Sequence, residues 1–105
     1  MKNKDFQKVY KKGNSFANKF LVMYVLNNET NENRLGISVS KKVGNSVVRH
    51  RVTRLIRESY RLQKTRFKIG YDIIVIARAT AKEKNYSEIE SALLHLGKLH
   101  NILDI

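Results

Sequence analysis

The chain has no cysteine and no proline, only five glycines, and nine acidic residues against twenty-one lysines and arginines. Without cysteine it can form neither a disulfide framework nor a thiolate zinc site, which separates it from small secreted scaffolds and favours a cytoplasmic location. Without proline, turns have to be read from glycine and short polar residues. Long apolar runs are lacking too: nothing approaches the roughly 20 residues needed to cross a bilayer, and the stretch from Met1 to Lys8 has no apolar core of the signal-peptide kind. A soluble chain without a membrane partner is expected. The few acids are scattered, so the clustered carboxylates that hold the ions of a metal-dependent nuclease are missing. Glu88 and Glu90 fit the first turn of a helix and Asp72 the start of a strand, while Asp5, Glu29, Glu32, Glu83 and Asp104 stand apart. The histidines, His50, His95 and His100, lack metal-ligand spacing. No catalytic residue and no metal ligand is expected on the protein itself.

A length of 105 residues makes one domain, residues 1–105, with a modest core. The formal charge of +12 costs stability through self-repulsion, which an anionic partner relieves. With 42% hydrophobic residues in periodic segments, the chain is a folded basic domain rather than a disordered tail. Nucleic acid is the partner that fits best, a membrane surface less well.

Residues 3–12 read as a helix because Phe6, Val9 and Tyr10 share helical spacing, with Gly13 as its stop. Phe20 to Leu26 is a strand, Asn27 to Asn33 a polar loop, and Arg34 to Ser40 an alternating, half-buried strand. These two strands are expected to pair as an antiparallel hairpin. The next helix starts at Asn45 or Ser46, both competent N-caps, and runs to about Leu62. Gln63 to Gly70 is a basic connector. Asp72 to Ala77 is apolar nearly throughout and suits a central strand with neighbours on both edges. Ser87 and Glu90 have capping-box spacing, and Ile89, Ala92, Leu93, Leu96 and Leu99 predict a helix over about 86–99. Nothing is read from the residues beyond it. The sum is a two-layer α+β domain in the order α-β-β-α-β-α, with room for one more short strand near residues 15–18.

The segment from Ser38 to Arg61 says most about function. On a helix, Val48, Val52, Leu55, Ile56 and Ser59 fall on one face, and His50, Arg54, Arg57 and Arg61 on the opposite one, flanked by Arg49 and Arg51. Solvated faces usually mix signs to gain i,i+4 pairs. Yet from Lys41 to Lys68 there are ten lysines and arginines and a single acid, Glu58. One face can dock on a sheet while the other offers a row of charge to a phosphate backbone. Gly44-Asn45 at the helix start could also bind phosphate through free amides, although such a pair is more often only a turn. By composition alone, Phe6, Tyr10 and Tyr24 are more often core than ligand platform. Phe16, Phe20 and Phe67 are read as core or its rim.

Lys41-Lys42-Val43-Gly44-Asn45, Arg49-His50-Arg51 and Arg54-Leu55-Ile56-Arg57-Glu58 together resemble the signature of the bacterial ribonuclease P protein family. Asp5 to Gly13 and Asp72 to Arg78 resemble that family's first helix and late strand, in the same order, so the resemblance covers nearly the whole chain. It implies helices mainly on one side of the sheet and a left-handed β-α-β crossover, like that of the second domain of a small-subunit ribosomal protein and against the usual handedness. It also implies the protein subunit of a cytoplasmic ribonucleoprotein endonuclease that removes the 5′ leader of precursor tRNA. In such an enzyme the RNA subunit and its Mg²⁺ ions carry the chemistry, and the protein needs no cofactor and no obligate protein partner.

The partners implied are the ribonuclease P RNA subunit and precursor tRNA. By resemblance, Lys41, Lys42, Arg51, Arg54, Arg57 and Arg61 would meet the catalytic RNA. Phe6, Tyr10, Val22, Tyr24, Arg49, His50 and Thr53 would meet the leader. Two positions depart from the family pattern: His50 stands where an asparagine is usual and Thr53 where a lysine is. Two other classes share the composition. One is a ribosomal protein that holds folded rRNA and has no substrate; the other is a basic DNA-binding module, which would need a helix-turn-helix pair or a dimerising segment that the chain does not display.

Overall fold

Three apolar segments of different periodicity decide the sheet. The computed structural model describes residues 1–104. It comprises α1 (Asn3–Lys12), β1 (Asn14–Ala17), β2 (Leu21–Asn27), β3 (Arg34–Ser38), α2 (Ser46–Gln63), β4 (Tyr71–Ala77) and α3 (Tyr86–Leu99), with short 3₁₀ turns at Lys64–Arg66 and Ala79–Ala81. The extra strand near residues 15–18 is β1. In β2, Leu21, Met23 and Val25 are buried while the residues between them are half-exposed, the alternation of a strand with one covered face. In β4, Asp72 to Val75 are buried without a break, so that strand is covered on both faces.

The sheet order is β1-β2-β4-β3. This corrects the expected hairpin: β2 and β3 do not pair. β4 lies between them, antiparallel to β2 with Met23 opposite Val75, and parallel to β3 with Ile37 opposite the same Val75. Two causes act together. A strand buried on both faces satisfies its amides only with a neighbour on each edge. The asparagines of the β2–β3 loop also bond to the start of β4 instead of closing a tight turn. Asn28 N–H donates to the Gly70 carbonyl and its side-chain amide to Asp72 Oδ1; Asn33 accepts from Tyr71 N–H and donates to the Lys68 carbonyl. Joining β3 to a parallel β4 then requires a crossover, which α2 supplies.

Register assigns the faces. Leu21, Met23, Val25, Ile73 and Val75 point to one side and form the main core with Val52, Ile56 and Tyr60 of α2 and Ile89, Leu93 and Leu96 of α3. Each of these large side chains contributes about 1.5–3 kcal/mol by leaving water. The third helix, α1, lies on the opposite face, where Val9 and Ile74 are fully buried. A Cβ built on Gly36 of β3 would sit 2.6 Å from the Phe6 ring, so glycine is what lets α1 approach. Gly13 ends α1 by a similar need for space: its backbone is extended, and a Cβ there would meet the Val9 and Val25 carbonyl oxygens at 2.6 and 2.9 Å.

The helix starts follow side-chain chemistry. Asn45 accepts from Val48 N–H at 3.0 Å to begin α2. For α3 the capping box is Asn85 with Glu88, correcting Ser87 with Glu90. Asn85 has the extended backbone of an N-cap, whereas Ser87 is already helical and Glu90 instead accepts from the Tyr86 hydroxyl. Residues past α3 also carry structure: Ile102 and Leu103 are buried, and Leu103 bridges to Phe67.

One buried carboxylate ties the layers together. Asp72 accepts from Arg34 Nε at 2.8 Å and from Arg34 Nη2 at 2.6 Å, and the same guanidinium lies 3.6 Å from Asp5 in the first turn of α1. Arg34 holds the Asp72 carboxyl below its ordinary pKa, outweighing the opposite push of burial, with Asn28 adding to the effect. His100, whose Nε2 lies 2.8 Å from the Met23 carbonyl, has its pKa lowered by burial. Both folded values are depressed, so both groups stabilise the fold at neutral pH and lose that contribution as pH falls. Thermal stability is therefore expected to drop in two stages, below about pH 6.5 from His100 and below about pH 4 from Asp72. His100→Gln should remove the first stage. Arg34→Met, which strands Asp72, should cost about 1.5–3 kcal/mol at neutral pH in denaturant titration.

Candidate nucleic-acid interface

Two surfaces collect the residues singled out from the sequence. The first is the open part of the face that α1 covers. Phe6 and Tyr10, one helical turn apart on α1, meet edge to face with ring centres 6.2 Å apart, and Tyr10 meets Tyr24 of β2 in the same way at 5.0 Å. Val22 shares the Tyr24 side of β2, two residues along, and is half-exposed like Tyr24. Tyr10 is 38% exposed, and burial of the remainder pushes its phenol pKa up. Ring contacts thus join Phe6, Tyr10 and Tyr24, with Val22 on the same side of β2, and Tyr10 is open to solvent. Of the other phenylalanines, Phe67 is in the core, while Phe16 is an exposed rim residue of β1 with its ring centre 4.8 Å from that of His100.

The second surface is α2 with the turn before it. Lys41 and Lys42 are exposed in the β3–α2 turn. Along the helix the cations differ in how free they are. Arg51 donates from Nη1 to the Lys84 carbonyl at 3.1 Å and from Nη2 to the Lys82 carbonyl at 3.2 Å, bracing the loop before α3. Arg61 grips Glu58 with two bonds, 3.0 Å from Nε and 2.5 Å from Nη2, and holds that carboxyl below its ordinary pKa. The sole acid of the segment is thereby neutralised within the helix, and Arg54 and Arg57 have no carboxylate partner among the described residues. Arg49 is half-buried, with an Nε that is enclosed and has no hydrogen-bond acceptor. A buried donor left unpaired is costly.

The seven residues expected to meet the leader come from three elements, α1, β2 and α2. Phe6, Tyr10, Val22 and Tyr24 stand together. Arg49 and Thr53 stand one turn apart on α2, joined by the Thr53 hydroxyl donating to the Arg49 carbonyl at 2.8 Å. His50 instead lines a groove with Arg51, Arg54 and Arg57, on the side expected to meet the catalytic RNA. Sequence reading missed two features. The Arg34–Asp72–Asp5 link spans residues too distant in the chain to be paired by eye. Tyr86, also in the groove wall, had a visible signal: it is the lone aromatic in a polar stretch beside an N-cap. Among the described residues no three His, Asp or Glu side chains are grouped to hold a metal ion, and no helix is long and apolar enough to cross a membrane.

Comparison with known proteins is consistent in sequence and in fold. The ribonuclease P family model matches residues 1–100. The ribonuclease P protein component of Lachnoclostridium phytofermentans is 66% identical over 101 residues, which are 96% of this chain and 87% of that protein. That of Alkaliphilus metalliredigens is 60% identical over 95 residues, 90% of this chain and 86% of that one. Among solved structures, the Staphylococcus aureus RNase P protein superposes with a TM-score of 0.90 at 46% identity, covering 99% of this chain and 95% of the other.

A net charge of +12 with two unpaired arginines on one helix predicts that anions binding only the folded state raise its stability. The melting temperature should climb through a sulfate series run against chloride at matched ionic strength. Arg54→Ala and Arg57→Ala should each flatten that climb while leaving the melting temperature in chloride nearly unchanged.

Proposed function

The chain belongs to the ribonuclease P protein family, the protein subunits of a tRNA-processing endoribonuclease complex, and on that premise we propose that it binds both the catalytic RNA subunit and the 5′ leader of precursor tRNA. Its contribution is binding and positioning. Among the described residues no three His, Asp or Glu side chains are grouped to hold an ion, and in this reading the metal ions and the phosphodiester cleavage belong to the RNA. The complex acts in the cytoplasm, and no further protein is required.

The observation that carries this reading is the juxtaposition, on one small domain, of an uncovered aromatic surface with a separate stripe of unpaired cations. Phe6, Tyr10, Val22 and Tyr24 suit single-stranded RNA, because stacking on aromatic rings contributes about 1–3 kcal/mol per base and tolerates any sequence. Arg49 supplies a phosphate contact to the same strand through its guanidinium, and Thr53 offers at most a neutral one. On the other surface Arg54 and Arg57 pair with phosphates of the RNA subunit, joined by Lys41 and Lys42. Arg51 and Arg61 act there mainly as scaffolding, since both guanidinium groups already have partners. His50 belongs with this second group by position.

Adding the purified protein to a bacterial ribonuclease P RNA should restore precursor tRNA cleavage at low Mg²⁺; no stimulation would exclude the assignment and favour a purely structural RNA-binding role. Tyr10→Leu and Tyr24→Leu keep most of the apolar volume but shorten the platform. They should weaken holoenzyme binding of precursor tRNA by about 1 kcal/mol or more per stacked base and leave mature tRNA, which has no leader, unaffected. Equal losses for both RNAs would mean that these rings only support the fold. Separately, Arg54→Ala or Arg57→Ala should reduce the slope of log affinity for the RNA subunit against log salt by about 0.7–0.9 per lost phosphate contact.

A further inference from the structure

Between the basic face of α2 and the first turn of α3 runs a groove of about 550 Å³, within the span of about 300–1,000 Å³ usual for sites that enclose a small ligand. Its lining is of two kinds. Val47, Leu55 and the ring of Tyr86 are apolar, and Arg54 and Arg57 are the cations already found without carboxylate partners. Val47 is 75% exposed although it sits in the first turn of α2, one residue from the buried face. Tyr86 is fixed in place, because its hydroxyl donates to Glu90 Oε2 at 2.5 Å and Glu90 in turn accepts from Gln63 at the end of α2. Glu58, also in the wall, is paired with Arg61, which offsets its repulsion of an anion.

A phosphate backbone running along α2 would use the arginines and leave the apolar lining in water. A base that has left its stack uses both, since single-stranded RNA is recognised by packing bases on aromatic and apolar side chains while arginine takes the phosphate. We propose that this groove holds one unpaired nucleotide of the RNA subunit, with its base against Val47, Leu55 and Tyr86 and its phosphate on Arg54 and Arg57. The inference rests on the reading that the basic face of α2 meets that RNA. It makes the contact a reader of RNA shape, because only a strand with a nucleotide free to swing out fills the groove.

The test uses the full chain with two probes, adenosine 5′-monophosphate and inorganic phosphate, followed by NMR on labelled protein. The nucleotide should shift the Val47 and Leu55 methyl signals and the Tyr86 ring signals, and phosphate should shift only the arginine Nε–H signals. Shifts of the same pattern from both probes, or nucleotide shifts confined to Tyr10 and Tyr24, would overturn the proposal. In RNA-subunit binding, Tyr86→Ala should weaken affinity on the order of ten-fold. Val47→Ser, at an exposed position that leaves the fold intact, should weaken it in the same direction, with Val47→Leu restoring it. Wild-type affinity in Tyr86→Ala and Val47→Ser, together with weakened binding in Arg57→Ala, would overturn the nucleotide site and leave the phosphate contact standing. Wild-type affinity in all three would remove the face from the RNA altogether.

Discussion

Everything in this fold depends on β4 having a neighbour on each edge. A seven-residue strand buried on both faces cannot leave its amides to water, so both edges must be paired. β2 takes one edge and β3 the other, and the rest follows. β3 runs parallel to β4, so a helix has to cross between them, and that helix is the one loaded with arginine. The crossover sets the basic stripe on the outside of the domain because its other face, Val52, Ile56 and Tyr60, is needed by the core. Position of charge is thus a by-product of strand order.

The sequence made the elements legible and the pairing illegible. Helical spacing of apolar residues located α1, α2 and α3 almost to the residue, β-forming apolar content found β2 and alternation found β3, because those signals are local. Strand order is not local. Two adjacent strands separated by a polar loop read as a hairpin, and the burial of β4 on both faces, with the hydrogen bonds of Asn28 and Asn33 to its start, redirects them. The capping error at α3 had a similar origin. Two overlapping spacings were available, and the extended backbone at Asn85 selected the one that begins there.

The candidate sites divide in the same manner. Arginine periodicity exposed the α2 surface because one helix carries all of it. Family resemblance, not composition, pointed to Phe6, Tyr10, Val22 and Tyr24, and the structure adds that they are contiguous. What no pattern could rank was the availability of each cation. Arg51, Arg54, Arg57 and Arg61 look alike in the chain, yet two are bound to carbonyls or to Glu58 and two are not. Partners three residues away, or 31 and 33 residues away, decide that, and they are in place only after folding.

The central place of β4 also has a kinetic meaning. β2 and β3 are complete by Ser38 and β2 already has β1 on one edge, but its other edge and β3 have no partner until Ala77 has been made. Contacts that must wait for distant segments slow folding, because loop closure is paid before any pairing is gained. At synthesis rates of about 5–20 residues per second, β2 and β3 spend seconds with unpaired edges while the arginines of α2 leave the ribosome. The main sheet cannot close around a nascent fragment shorter than about three quarters of the chain. Folding of this domain is therefore a late event, driven by the arrival of a single strand rather than by growth outward from its N-terminal helix.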